Sequence, residues 1–83
     1  MNILIIEDEI QAAKRLKSLV CELLPLATIA GHADSVKSSV AWLNDNPPPD
    51  LIFMDIQLGD GLSFGIFEMT RVSSPVIFTT AYD

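Results

Sequence analysis

The sequence predicts an α/β domain in which a doubly wound parallel sheet carries helices on both of its faces. Two observations lead to this fold class. Short apolar runs alternate with amphipathic segments along the chain, and these runs lack the polar alternation of a half-exposed strand. Continuous aliphatic runs are typical of strands that are covered on both faces, as in parallel sheets. The resulting order, β-α-β-α-β-α-β, implies right-handed crossovers with helices on both sides.

The first strand and the first helix are the clearest elements. Residues 2–6 predict the strand, since four aliphatic residues follow Asn2, and the run ends at three acidic residues, 7–9. A helix is predicted for residues 10–24, because apolar residues recur there with helical spacing and Pro25 stops the helix. We expect its buried side to consist of Ile10, Ala13, Leu16, Val20, Leu23 and Leu24.

A second strand and a second helix follow with weaker signals. Residues 28–33 predict the strand. Asp34 or Ser35 has the right side chain to cap the helix, and both alternatives stay open at this point. Asn46 and the prolines at 47–49 end the helix. Its apolar stripe is Val36, Val40 and Leu43.

A third strand, residues 51–54, delivers Asp55 at its carboxyl end. The loop at 56–61 contains Gly59-Asp60-Gly61, which is a strong turn signal. Residues 76–79 predict a fourth strand after Pro75. A short third helix is predicted from the apolar stripe of Leu62, Ile66 and Met69. Phe64 and Phe67 widen its apolar side, and we expect them to belong to the core rather than to a partner surface.

Composition excludes several classes of function. Five Lys and Arg residues stand against eleven Asp and Glu residues, and the net charge of −6 repels a phosphate backbone, so we expect no nucleic-acid binding by this segment. No signal peptide and no membrane-spanning run occur, and the single Cys21 cannot form an internal disulfide. These features predict a single cytoplasmic domain over residues 1–83 that does not bind membranes.

Acidic residues follow two of the predicted strands. In a doubly wound sheet the functional crevice lies beyond the carboxyl ends of the strands, so Glu7, Asp8 and Asp55 should converge there. Clustered carboxylates raise one another's pKa unless a cation neutralises them, and oxygen-only ligands suit Mg²⁺. We expect Glu9, by contrast, to begin the first helix and to interact with its dipole.

This arrangement predicts a phosphoryl-transfer chemistry. An aspartate held beside a magnesium ion can attack phosphorus and form an acyl phosphate, while the ion neutralises charge on the transferring group. A hydroxyl at the end of the neighbouring fourth strand could then bond a phosphoryl oxygen. Position alone leaves Thr79 and Thr80 as equal candidates for this hydroxyl.

Three segments, residues 3–9, 50–56 and 75–81, resemble the motifs of receiver domains in two-component response regulators. Residues 55–62 and 79–83 are most similar to the LytTR (LytR/AlgR) type. The resemblance implies a flavodoxin-like (CheY-like) sheet with strand order 2-1-3-4. It also implies a fifth strand and two further helices, and the 83 residues end before them, so the chain is interpreted as the N-terminal portion of a receiver domain.

The resemblance also assigns roles to individual residues. Asp55 matches the phosphoacceptor, and Asp8 matches the more direct ligand of the acidic pair. Thr80, followed by the small Ala81, matches the switching hydroxyl, which decides between the two threonines. The implied partner is a sensor histidine kinase, and DNA would be bound only through an output domain absent here. The implied magnesium ligands are Glu7, Asp8, Asp55 and the backbone carbonyl of Gln57.

One departure from the family keeps alternatives open. Receiver domains have a phosphoryl-pairing lysine after strand five, whereas the three lysines of this chain fall in the first two predicted helices, at Lys14, Lys17 and Lys37. A phosphorylation-independent interaction domain of the same fold is therefore a second hypothesis. A magnesium-dependent phosphohydrolase of the haloacid-dehalogenase type is a third, although residues 7–9 lack its D-x-D motif. No P-loop motif occurs. The leading hypothesis is a phosphoacceptor rather than an enzyme.

The fourth strand also predicts self-association. Residues 76–78 are apolar on both faces, and no later strand in the 83 residues flanks them. An exposed, uncharged strand edge is a template for pairing with another chain. We therefore expect a homodimer, or larger aggregates, to form through this edge.

Overall fold

The computed structural model describes residues 1–79. Four strands form the main sheet, and two more form a short hairpin between the third strand and the third helix. The strands are β1 (Asn2–Ile6), β2 (Thr28–Ala33), β3 (Leu51–Asp55), β4 (Gln57–Leu58), β5 (Gly61–Leu62) and β6 (Val76–Thr79). The helices are α1 (Ile10–Leu23), α2 (Val36–Asp45) and α3 (Phe64–Met69).

The main sheet is parallel and has the strand order β2-β1-β3-β6. The predicted order 2-1-3-4 is confirmed, with β6 as the fourth strand. The register pairs Ile6 with Met54 and Asp55 with Thr79. All four strands therefore end at one edge of the sheet, which we call the carboxyl edge.

The two faces of the sheet carry separate cores. Successive side chains of a strand point to opposite faces, so β1 supplies Leu4 and Ile6 to one core and Ile3 and Ile5 to the other. The first core faces α2 and α3, and the second faces α1. The larger core also contains Ala33, Ile52, Met54, Leu58 and Ile66, all of them buried. This division confirms the doubly wound arrangement.

The buried sides of α1 and α3 are smaller than the sequence predicts. In α1, Ala13 and Val20 are buried, but Ile10 and Leu23 near its ends are 66% and 67% exposed, because only the middle of the helix covers the sheet. The third helix begins at Phe64, so Leu62 lies in β5 and is exposed. In α3 only one turn contacts the core: Ile66 is buried, and Met69, Phe64 and Phe67 are exposed.

A close contact fixes the outer strand β2. The pairing of β1 with β2 shifts between Ile3 and Leu4, so that Leu4 pairs with Gly31. The indole of Trp42 lies directly over Gly31, and a Cβ at position 31 would come within 2.8 Å of Cε2 of the ring. Such a distance is a clash, so glycine is needed here for the indole to pack against the strand.

The N-terminus of α2 is capped from two sides. The hydroxyl of Ser35 accepts a hydrogen bond from the amide of Ser38 at 2.9 Å, which confirms Ser35 rather than Asp34 as the capping residue. The carboxylate of Asp60, in the turn between β4 and β5, accepts from the amides of Val36 and Lys37 at 2.8 and 3.1 Å. Asp60 thus ties the hairpin to α2. Across residues 1–79, no helix is both long and apolar enough to cross a membrane.

Candidate metal and phosphoacceptor site

Three carboxylates meet at the carboxyl edge. Glu7 and Asp8 follow β1, and Asp55 ends the adjacent β3. One carboxylate oxygen of each lies within 4.8 Å of the others. Glu7 and Asp55 are 5% and 9% exposed, whereas Asp8 is exposed. We call this group the acidic cluster; it places one solvent-accessible acid over two buried ones.

Hydrogen bonds to the main chain hold Glu7 from both sides. Its amide donates to the carbonyl of Ala33 at 2.9 Å, which extends the pairing of β1 with β2. Its carbonyl lies 2.8 Å from Nε2 of His32. Its side-chain Oε2 accepts a hydrogen bond from the amide of Glu9 at 3.1 Å. The first acid of the cluster is therefore fixed to β2 and to the start of α1.

The electrostatics of the cluster are unfavourable without a counter-charge. Burial raises the pKa of Glu7 from 4.5 to about 7, and the negative charge of Asp55 and hydrogen bonds with Asp8 and Asp55 act in the same direction. The amide of Glu9 opposes this shift, but it does not offset it. Buried acids of like charge that lack a basic partner favour either protonation or a bound cation.

The hairpin lies on the other side of the cluster. Gln57 opens β4 and pairs with Leu62, and a Cβ on Gly59 would come within 3.8 Å of Oδ2 of Asp8. The buried Ser63 anchors this loop, because its amide and its hydroxyl both donate to the carbonyl of Ile56, at 2.8 and 3.0 Å. The loop after Asp55 thus lies beside the exposed acid.

Comparisons with known proteins agree with this geometry. No protein-family model matches the chain. The chain is 36% identical to the sensory transduction protein LytT of Bacillus anthracis and 35% identical to the positive alginate biosynthesis regulatory protein of Pseudomonas aeruginosa. Each alignment covers 100% of this chain and 34% of the relative. It is 37% identical to the receiver (REC) domain of the PhyR response regulator of Erythrobacter litoralis, whose NMR structure it matches with a TM-score of 0.78, over 98% of this chain and 63% of that one.

The homologues of the chain are thus LytTR-type regulators, and its structural neighbours are receiver domains of response regulators. The LytTR-type resemblance is confirmed, since LytT and the alginate regulator are its homologues. The chain spans about a third of the length of the curated relatives that it matches. This homology supports a role in phosphorelay signalling.

The structure brings together three of the residues that the sequence predicts for the receiver site, Glu7, Asp8 and Asp55. The carbonyl of Gln57 and its part in metal binding stay predictions. Thr80 lies outside the described residues. Its neighbour Thr79 pairs with Asp55, and its hydroxyl is buried without a hydrogen-bond partner among residues 1–79.

The positions of Glu9 and of the three lysines can be compared with the sequence predictions. Glu9 occupies the N-cap of α1 as expected, but its side chain makes no capping hydrogen bond. As predicted, the three lysines lie on helices, Lys14 and Lys17 on α1 and Lys37 on α2.

Sequence reasoning missed two residues that organise the receiver site. The sequence predictions contain no role for His32, whose ring reaches the carbonyl of Glu7, and they place Asp60 only in a turn, whereas it also accepts from the amide of Val36. The one available signal for His32 was its place near the carboxyl end of β2, beside β1 at the functional edge. Nothing local in the sequence indicates the contact of Asp60 with α2.

The donor set fits a magnesium ion. All three side chains of the acidic cluster offer hard carboxylate oxygens, and no His or Cys among residues 1–79 joins the group. Magnesium favours one or two carboxylates and retains several waters, which requires an open side such as that of Asp8.

Proposed function

We propose that this receiver domain accepts a phosphoryl group on Asp55 with a magnesium ion bound at the acidic cluster. The observation that carries the proposal is the convergence of Glu7, Asp8 and Asp55 within 4.8 Å at the carboxyl edge, two of them buried. Their accumulated charge favours a divalent cation, and the ion would be held by Asp8 and Asp55 with Glu7 behind them.

The chain's own residues would supply the nucleophile and its orientation. A carboxylate oxygen of Asp55 forms the new bond to phosphorus, and the bond between phosphorus and the donor breaks, with its electron pair leaving on the donor. A bound magnesium ion would neutralise negative charge on the transferring group. Because Asp55 is the last residue of a central strand, its carboxylate has little freedom and is pre-oriented for attack.

A magnesium titration followed by amide chemical shifts tests the metal site. The largest shifts should map to residues 7–8 and 55–57, and Asp8→Asn should weaken them. Asp45→Asn is the matched control, since it removes the same charge at the far end of α2. Equal shifts in the Asp8→Asn variant and the wild type would contradict this site.

Intact-mass analysis with a small phosphodonor and magnesium tests the acceptor. One added phosphoryl group is expected in the wild type and in Asp45→Asn, and none in Asp55→Asn. An adduct that persists in Asp55→Asn would assign the acceptor elsewhere. A protein that binds a partner but never shows an adduct would favour the alternative, a phosphorylation-independent interaction domain.

The partners in this proposal follow the resemblance. The donor would be a sensor histidine kinase in the cytoplasm, and Thr80 would bond the phosphoryl group after transfer. Phosphorylation would then change which partner the domain contacts. In a longer LytTR-type parent, this change would control a DNA-binding output domain, since the curated relatives extend well beyond the matched third.

A second proposal concerns self-association of the 83-residue chain. In the described sheet β6 is an outer strand, and its Ile77 and Phe78 are 48% and 43% exposed. We propose that two copies associate through β6. Sedimentation should show a dimer or larger species for the wild type and for Thr28→Lys on the opposite outer strand, but a monomer for Ile77→Lys. A monomeric wild type at high concentration would contradict this proposal.

A further inference from the structure

His32 contacts the acidic cluster from behind, through the main chain. Its Nε2 lies 2.8 Å from the carbonyl oxygen of Glu7. A carbonyl oxygen can only accept, so Nε2 carries the proton in this contact. His32 is not one of the residues that could hold the metal, and its Nε2 is already engaged. Its contribution to the site therefore passes through the Glu7 peptide.

The contacted carbonyl belongs to the peptide bond that joins Glu7 to Asp8. A peptide unit is planar and turns as one body, so fixing its carbonyl also fixes the direction in which the chain enters Asp8. The preceding peptide is held separately, by the bond from the Glu7 amide to Ala33. The contact with His32 thus determines the orientation of the next peptide unit, the one that leads to the exposed acid.

The donor itself has a fixed backbone. His32 pairs with Ile5 in the β1–β2 register, and the preceding Gly31 lies under the indole of Trp42. The backbone of β2 has little freedom to shift, because it is hydrogen-bonded to β1 along one edge and covered by the indole of Trp42 on one face. The side chain of His32 is exposed, but its backbone position is set by β2, so the imidazole starts from a fixed point beside the Glu7 carbonyl.

We propose that His32 is a positioning residue that orients Asp8 toward the magnesium ion by fixing the Glu7–Asp8 peptide. This inference rests on the proposed metal site. β2 carries no metal ligand, yet through His32 it would contribute to the affinity for the cation.

Three variants separate the donor from the bulk of the ring. His32→Leu removes the donor and keeps much of the volume, whereas His32→Gln keeps an N–H group at a similar reach. Ile29→Val is the matched control, because it loosens the same strand in the core beside α1 without touching Glu7. If His32→Leu does not fold, His32→Asn replaces it, since its amide is too short to reach the carbonyl.

The primary readout is the magnesium dissociation constant from amide-shift titrations, with the thermal midpoint measured in parallel. His32→Leu should weaken magnesium binding about tenfold, the usual scale for outer-shell partners of metal ligands. His32→Gln should restore most of the affinity, and Ile29→Val should leave it unchanged at a similar thermal midpoint.

A second readout needs no metal. In the metal-free protein at alkaline pH, imidazole ¹⁵N shifts should show the proton of His32 on Nε2. A proton on Nδ1 would overturn the inference. So would a His32→Leu variant with wild-type affinity, or one that weakens no more than Ile29→Val. If the wild type itself shows no magnesium response, the proposed metal site fails and the inference fails with it. A wild type that binds while His32→Leu binds equally well refutes the role of His32 alone.

Discussion

Glu7 and Asp60 are both carboxylates near the carboxyl edge of the sheet, yet the protein shifts their pKa values in opposite directions. Glu7 is buried beside Asp8 and Asp55, and its pKa is raised to about 7. Asp60 is solvent-exposed and accepts from the amides of Val36 and Lys37, which lower its pKa. The pKa of Glu7 rises because the side chain is buried among like charges. The pKa of Asp60 falls because two N–H donors at a helix N-terminus stabilise its charge.

The difference separates an acid that stabilises the fold from one that fits the proposed magnesium site. Asp60 gains from its charge in the folded state, because the amides of α2 have no other partner within the helix. Glu7 loses free energy when charged, and the protein retains it at the edge where a cation would reverse that loss. An acid that is unfavourable in the ligand-free fold is a stronger pointer to a binding site than one that caps a helix.

The largest expected effect comes from Glu7→Gln. Glutamine keeps an acceptor for the Glu9 amide and removes the buried charge. At a pH above 7 we expect the free energy of unfolding to rise by about 1 to 3 kcal/mol, as the shifted pKa implies. Urea denaturation measures it, with Glu9→Gln at an exposed position as the control. A Glu7→Gln variant less stable than the wild type would mean that the charge is already neutralised within the protein.

The pH dependence of stability should show the same free-energy cost of ionising the buried Glu7. The pKa of Glu7 is 4.5 when unfolded and about 7 when folded, so between these values the folded state binds more protons. Its contribution to stability is therefore fully present below pH 4.5 and is lost as the pH rises through about 7. Urea titrations across this range should show that the difference between wild type and Glu7→Gln grows with pH. A constant difference would contradict the raised pKa.

At the N-terminus of α2, Ser35→Ala should reduce stability by about 1 kcal/mol, the usual cost of losing a capping side chain. The variant removes the acceptor for the Ser38 amide and the contact between the two hydroxyls at 2.8 Å. Thermal unfolding measures the loss, with the solvent-exposed Ser18→Ala on α1 as the control. An unchanged midpoint would show that Asp60 alone suffices to cap the helix.

The smallest effect is expected for Asp60→Asn. The amide side chain can still accept one hydrogen bond, but the charge at the helix N-terminus is lost, so the thermal midpoint should fall slightly at neutral pH. Because the folded pKa lies below 3.8, this contribution is present above that value and disappears as the pH falls through the folded pKa. Wild type and variant should therefore converge in acid and in high salt. A gap that persists in acid would contradict a charge effect.

The sequence predicted the elements of the sheet well because their signals are local. The four main strands begin and end close to the expected residues, and Ser35 and Pro25 mark helix ends through short-range rules. The acidic cluster was also predictable, since the parallel order alone brings the ends of adjacent strands together.

What the sequence did not show are contacts between residues that are distant along the chain. The bond from His32 to Glu7 spans 25 residues, and that from Asp60 to Val36 spans 24. Their geometry depends on the register shift between β1 and β2, which has no local signature, and on the β4–β5 hairpin. The Gly59-Asp60-Gly61 signal predicts the turn of this hairpin but not its position against α2. The exposure of Leu23 and Met69 was missed for a related reason: helical periodicity identifies an apolar side but not how far the sheet beneath it extends.

The contact between Trp42 and Gly31 also provides an intrinsic fluorescence probe of β2. Trp42 is the only tryptophan in the chain, so intrinsic indole fluorescence comes from a single place. That place is directly above the residue that precedes His32, on the strand that contacts the acidic cluster. Any event at the carboxyl edge that displaces β2 will alter the surroundings of the indole and hence its emission, without a dye or a label.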